Sequence, residues 1–457
     1  MVSPIDHNHF NSQKREYHCL SFVSILTYSI ISIVGLNNTL SAQEHIQPPL
    51  IHSCIGDTQK SSDGRLSMTN IGKKQQYATS QTATFDNAIY SPKSAAFHPD
   101  GTRFYVNSLE GCCTSVYDAL SLDRLKVIHH RFPSGNGSRW AVPSGYYPWS
   151  HYPDGQKRPF NGKPVEMTFS HGGRYLWIPY YRRTFDINAQ DPSAIAVIDT
   201  RRDTIVRMFE TGPLPKMVTV SNSGKLLAVT HWGDNTVGFI DISSPRPKDW
   251  QHLRPITIGK KLQLDYPLDT PVNRDADSGY LLRGTVFLPG DRYLLVGCMA
   301  GGIAVIDMLR GRHIGFINAI SNVRHLASDR KHVYASSNIS GTIHKIPIDS
   351  INSAIHRAGQ SGSRTIKPEG WSSCRVGKGA RTLEISPDGN HIFVACNSVS
   401  ELHVVDARTM KSIASIRCDS YPVGLCISPD GEKVIVTSQG RNRLGGNAVN
   451  IFRLTSN

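Results

Sequence analysis

The sequence contains no Cys-x-x-Cys pair and no Cys-x-x-Cys-His, although it has nine cysteines. That excludes the common zinc ribbon, the thioredoxin-type dithiol and c-type haem attachment. It has no His-x-x-x-His, no Glu-rich cluster and no Gly-x-Ser-x-Gly, so neither metal-assisted nor serine hydrolysis has a recognisable motif. No catalytic residue, metal site or cofactor is assigned. Acid is scarce: 36 Asp and Glu face 50 Lys and Arg, a formal charge of +14 that favours acidic partners. Only 19% of the chain is charged while 39% is apolar, enough to bury a core and exclude wholesale disorder. The 38 glycines and 26 prolines are scattered over 457 residues, the punctuation of many short strands joined by turns.

Lys14 and Arg15 precede an apolar run from Leu20 to Leu36, and Thr39-Leu40-Ser41-Ala42 supplies the small residues of a signal-peptidase site. The expected organisation is a signal peptide over 1–42, an extended segment over 43–80 and a folded body over 81–457. At 17 residues the run also suits an uncleaved anchor with its cations inside, and both readings stay open. Either way the body is delivered outside the cytoplasm, to the periplasm or the cell surface. The eight remaining cysteines, Cys54, Cys112, Cys113, Cys298, Cys374, Cys396, Cys418 and Cys426, then meet an oxidising compartment. Cys298, Cys396 and Cys426 sit in strand-like apolar stretches, so one or two bridges at most are expected.

Internal repetition decides the fold. The best-formed unit runs Leu383-Glu384-Ile385-Ser386, turns at Pro387-Asp388-Gly389, and continues through Ile392-Phe393-Val394-Ala395, Leu402-His403-Val404-Val405-Asp406 and Ser412-Ile413-Ala414-Ser415-Ile416. Pro presets φ, Asp bonds its own backbone and Gly accepts positive φ, which makes a tight turn. The turn recurs at Gly101, Gly173, Gly224, Asp291, Arg330, Gly389 and Gly431, with spacings of 72, 51, 67, 39, 59 and 42. Third strands repeat independently as Ala196-Val197-Ile198-Asp199, Gly238-Phe239-Ile240-Asp241 and Ala304-Val305-Ile306-Asp307. A four-stranded sheet cannot bury both faces alone, so seven WD40-like units must stack radially. The predicted fold is all-β: a seven-bladed β-propeller of four-stranded antiparallel blades. The last unit stops after its third strand, so an N-terminal strand, expected at Gln81–Asp86, completes it and removes two open edges.

The second strands, Tyr105-Val106-Asn107, Ala228-Val229-Thr230, Phe393-Val394-Ala395-Cys396-Asn397 and Val436-Thr437-Ser438, resemble the YVTN-type β-propeller repeats of bacterial and archaeal surface proteins. The likeness spans residues 81–454. It implies a seven-bladed fold and leaves function open among surface-layer and adhesive modules, lactonases, and subunits of haem or quinone enzymes.

In such a ring, inner strands begin on one face. The long insertions, residues 133–163, 180–193, 251–282, 354–378 and 439–447, are all assigned to that face. It therefore becomes the candidate binding surface. The first insertion carries Trp140, Tyr146, Tyr147, Trp149, Tyr152 and Phe160, suited either to a partner or to a minicore; the loop inside blade two adds Tyr180, Tyr181, Arg182 and Arg183.

Eight residues before the turn position sit Lys93, Val165, Lys216, Arg283, Arg381 and Val423, with Arg324 and His325 near the corresponding point of blade five. Blades three to six thus each offer a cation to the central opening, with Glu166 and Glu384 as nearby acids. Converging like charges repel unless an anion or acidic neighbours offset them. The expected site is an anion funnel of Lys216, Arg283, Arg324, His325, Arg381 and Glu166. Rim contacts are expected from His231, Trp232, Arg182, Arg183, Trp149 and Tyr180. The expected partner is an anionic small molecule, a glycan or an envelope protein. Nucleic acid is not expected, for want of a basic stripe, and membrane contact only through the N-terminal anchor. The enzyme alternatives are a lactonase-like hydrolase, which needs Glu166, His231, His325 and Arg381 at one cavity, and a periplasmic redox subunit.

Overall fold

The seven turn positions aligned in the sequence all adopt the left-handed backbone: Gly101, Gly173, Gly224, Gly389 and Gly431 at φ 72 to 92, Asp291 at 59 and Arg330 at 70. The best turns are locked by one repeated bond set. The Ser386 hydroxyl donates to Asp388, which accepts the Asn390 N–H at 3.0 Å, and the His391 N–H returns to Ser386 Oγ at 2.9 Å. Ser428, Asp430, Glu432 and Lys433 repeat it.

The computed structural model describes residues 53–76, 83–133, 136–276, 279–440 and 445–456. The expected leader, Lys14 through Ala42, and residues 77–82 lie outside them. Seven antiparallel sheets form one ring. Their inner strands are Pro92–Phe97, Thr168–Ser170, Pro215–Val220, Leu282–Phe287, Val323–Ser328, Ala380–Ile385 and Pro422–Ile427. Aliphatic clusters fill the spaces between neighbouring blades, as when Leu326 and Val333 of blade five pack with Leu295 and Val305 of blade four. The ring closes where blade seven meets blade one. There Gly424 is required, because a Cβ would run into the Lys93 carbonyl.

An N-terminal strand does complete blade seven, but it is Leu66–Gln75, paired antiparallel along the whole of Ala448–Ser456. The expected Gln81–Asp86 contributes only Thr84–Phe85, a two-residue parallel addition to that strand. Leu66 and Met68 sink between blades six and seven. Lys73 forms a buried 2.8 Å ion pair with Asp419.

A second correction concerns the insertions. Blade five runs Val323–Ser328, His332–Ser337, Thr342–Pro347 and Ser372–Arg375. The insertion after Pro347 therefore lies between its third and fourth strands, on the face opposite the start of the inner strands, and carries the helix Ile348–Ser361. Elaboration is not confined to one face. All eight cysteines among the described residues are free thiols.

Candidate functional site

Six inner strands are entered the same way. The preceding residue is left-handed: Ser91 at φ 52, Leu214 at 49, Leu281 at 56, Asn322 at 52, Gly379 at 82 and Tyr421 at 59. For bulky residues this conformation is strained, and its recurrence marks a position fixed by the ring. Immediately afterwards the ladder slips. Pro92 pairs with Ser108 and Ala95 with Val106, so Lys93 and Ser94 face Asn107 together. The same bulge holds Lys216 and Met217 in blade three, Arg283 and Gly284 in blade four, Arg324 in blade five and Arg381 and Thr382 in blade six. A bulge re-aims the side chain it carries. Here the first bulged residue of five blades is a cation.

The funnel residues converge. Glu166, Lys216, Arg283, Arg324, His325 and Arg381 line one small cavity of about 20 Å³, room for one water-sized group. Lys93 belongs with them: its charge acts on Glu166, and the charges of Arg381, Arg283 and Arg324 act on it. Among the described residues none of these five cations has a carboxylate oxygen within 4 Å. Of the residues lining the cavity, Glu166 is the acid that faces these cations. Burial raises its pKa, while Lys93, Arg381, Arg283 and Lys216 pull it back down.

Aromatic faces take the place of counter-ions. Lys216 Nζ lies 3.5 Å from the centroid of the Tyr181 ring and 4.8 Å from that of Trp232, and the Arg283 guanidinium lies 4.2 Å from that of Trp232. Ring quadrupoles steady a cation without neutralising it. The pKa values of Lys93 and Lys216 fall well below the lysine range, first from burial and then from neighbouring cations. Arg283 is lowered likewise, and Arg324 falls to about 10. Burial takes His325 to about 4, so it is neutral at pH 7. Arg324 Nε is buried without a hydrogen-bond partner. Such an arrangement can donate charge-assisted bonds to one oxyanion edge.

Most of the expected rim contacts lie elsewhere. His231 is fully buried, with Nδ1 2.8 Å from Thr236 Oγ1 and Nε2 accepting the Gly212 N–H at 3.1 Å. It braces blade three. Tyr180 is core, its hydroxyl bonded to His130 at 2.8 Å. Arg183 is buried inside a cage of Trp140, Trp149 and Phe160 and donates to the Gly155 and Ser193 carbonyls. Trp149 is fixed by donating to Glu210 at 2.9 Å. The aromatic insertion is thus a minicore pinning a long loop. Arg182 caps the Ile187 carbonyl at 2.8 Å. Of the six, only Trp232 helps to form the funnel, as its wall. Tyr181, beside it, completes that wall. Lys93 was legible at the shared eight-residue offset, but it stands outside the run of blades three to six.

The upper loops are sewn together around this opening. Asn188 donates to the Pro267 and Thr270 carbonyls, Gln190 exchanges two bonds with Tyr266, and buried Arg274 binds the Asn188, Ala189 and Gly233 carbonyls. This fixes exposed Asp275, whose charge acts on Lys216 and Arg324, at the mouth.

No family model and no curated protein matches the chain. Solved structures do. The Kuenenia stuttgartiensis hydrazine synthase matches with a TM-score of 0.54 at 14% identity, over 83% of this chain and all of that one. The β-propeller domain of Myceliophteria thermophila Cps50 (Swd1) matches with a TM-score of 0.53 at 11% identity, over 80% of this chain and 97% of that one. At such identities the shared property is the fold: this chain is a seven-bladed β-propeller.

Proposed function

We propose that the protein is an exported propeller of the YVTN type, working in the periplasm or at the cell surface as a binding or scaffold module. Its funnel grips one anionic group of a small molecule, a glycan or an envelope protein. The observation that carries this reading is that five blades deliver a cation to one opening and, among the described residues, no carboxylate lies within 4 Å of any of them. Holding such a set together costs folding free energy, and an oxyanion at the centre relieves it. The cavity admits one oxyanion edge, so the rest of a larger ligand lies toward the mouth, between the upper loops. A lactonase-like site is disfavoured because His231 lies buried within blade three, away from Glu166, His325 and Arg381. Hydrazine synthase activity is not carried over, since the likeness is one of fold.

The test is a thermal-shift screen against uronic acids, phosphosugars and sulfated glycans, with Arg283→Ala and Arg381→Ala as controls. Stabilisation by an acidic compound that both variants abolish supports the reading. No ligand-dependent shift across the panel overturns it.

A further inference from the structure

Between blade four and the helix Ile348–Ser361 lies a cleft of about 540 Å³, on the face opposite the funnel mouth. Four arginines edge it. Arg292 comes from the first turn of blade four, Arg310 from its third-to-fourth turn, Arg312 from the start of its fourth strand, and Arg364 from the segment after the helix. One carboxylate, buried Asp307, stands 3.8 Å from both Arg292 and Arg310. Its Oδ1 is already committed to the Leu309 and Arg310 backbone N–H groups. The cleft therefore keeps a formal excess of three positive charges.

Arg364 is held by a neutral histidine. His313 Nε2 donates to the Gly315 carbonyl at 3.0 Å, which leaves the Nδ1 lone pair to accept from Arg364 Nη2 at 3.0 Å. Burial first, then the Arg364 charge, lowers His313 to about 4 and keeps it an acceptor. The Arg364 main chain is anchored as well: its carbonyl accepts the Phe316 N–H at 2.8 Å, an approach possible only because residue 315 lacks a Cβ. A helix C-terminus disfavours an anion, and here it is capped in part. Gly362 and Ser363 donate to Ala358, and the Ser361 hydroxyl donates to Arg357. Ile314, Ile355 and Ile366 supply an apolar floor.

We propose that this cleft binds an organic polyanion of about two-ring size, carrying sulfate or phosphate esters that the arginine forks grip while its rings rest on the isoleucine floor. Its volume falls in the range of small-molecule sites, about 300–1,000 Å³. The site is separate from the funnel and stands whether or not the funnel binds.

Titration calorimetry on the full chain tests this, with sucrose octasulfate and inositol hexakisphosphate as probes and maltose as the neutral control. Saturable one-site binding of at least one ester probe is expected, and the tighter probe identifies the ester. Arg364→Ala and Arg312→Glu should each weaken it at least tenfold, Arg364→Lys should not restore it, and Arg283→Ala in the funnel should leave it unchanged. Thermal melts confirm that the variants fold. Failure of both probes, equal binding of maltose, or a loss in Arg283→Ala with none in Arg364→Ala overturns the proposal.

Discussion

Replacing the acid that lines the funnel should raise anion affinity without lowering stability. Glu166 is a half-buried carboxylate acted on by Lys93, Arg381, Arg283 and Lys216. Glu166→Gln keeps the shape and removes one negative charge from among five positive ones. Burial keeps the Glu166 pKa raised despite those cations, so its ionised form burdens the fold at pH 7 and the neutral amide relieves that burden. The variant should therefore melt at or slightly above the wild-type temperature in low salt. An anion in the same funnel no longer faces that carboxylate. Unit charges about 5 Å apart interact by about 3 kcal/mol at an effective dielectric near 20, and the open mouth screens part of this. A surviving ~1.4 kcal/mol is a tenfold gain in sulfate affinity. Melting curves and sulfate titrations at 20 and 300 mM salt would read both effects, and both should shrink at the higher salt. A variant that melts below the wild type, or binds sulfate no more tightly, would refute the electrostatic reasoning.

Arg183→Ala should cost about 3 kcal/mol, because the Gly155 and Ser193 carbonyls and three rings lose their centre, while sulfate binding stays unchanged. A loss of sulfate affinity at unchanged stability would return Arg183 to the ligand. Acid should destabilise the ring early. His130 and His231 are lowered to about 3 and His252, His313 and His325 to about 4, so unfolding takes up protons and stability falls as pH drops from about 6.5 toward 4. Glu384, raised by burial to about 7, works oppositely, favouring the fold below that pH. A melting temperature flat from pH 6.5 to 4.5 would contradict the histidine assignment. Finally, a chain beginning at residue 77 loses Leu66–Gln75 and the Lys73–Asp419 pair, which bares the edge of Ala448–Ser456. Size-exclusion chromatography should show it aggregating, and an intact monomer with unchanged melting would disprove the role of that strand.

The ring and its funnel were legible because both depend on positions the backbone cannot vary. A left-handed turn residue recurs in every blade, and the cation at a fixed offset before it coincides with the bulge. The closing strand was harder to place. Leu66–Gln75 carries a register shift between Asn70 and Gly72 that breaks its alternation, whereas Gln81–Asp86 reads more like a strand. The fourth strand of blade five is only Ser372–Arg375, polar and short, so the insertion before it was assigned to the wrong face. His231 and Arg183 occupy strand ends where a rim seemed due. What buries them is a folded loop whose inward packing no local pattern announces: Tyr147 meets His231 edge to face, and Trp149 and Trp140 close over Arg183.

The central claim is that unpaired cations from five blades form one anion site. A crystal of the protein grown in bromide, with data collected at the bromine edge, tests it most directly. A strong anomalous peak is expected in the funnel, within contact of Arg283 and Arg381. Bromide absent from the funnel, with those side chains each turned onto a carboxylate of their own, would contradict it.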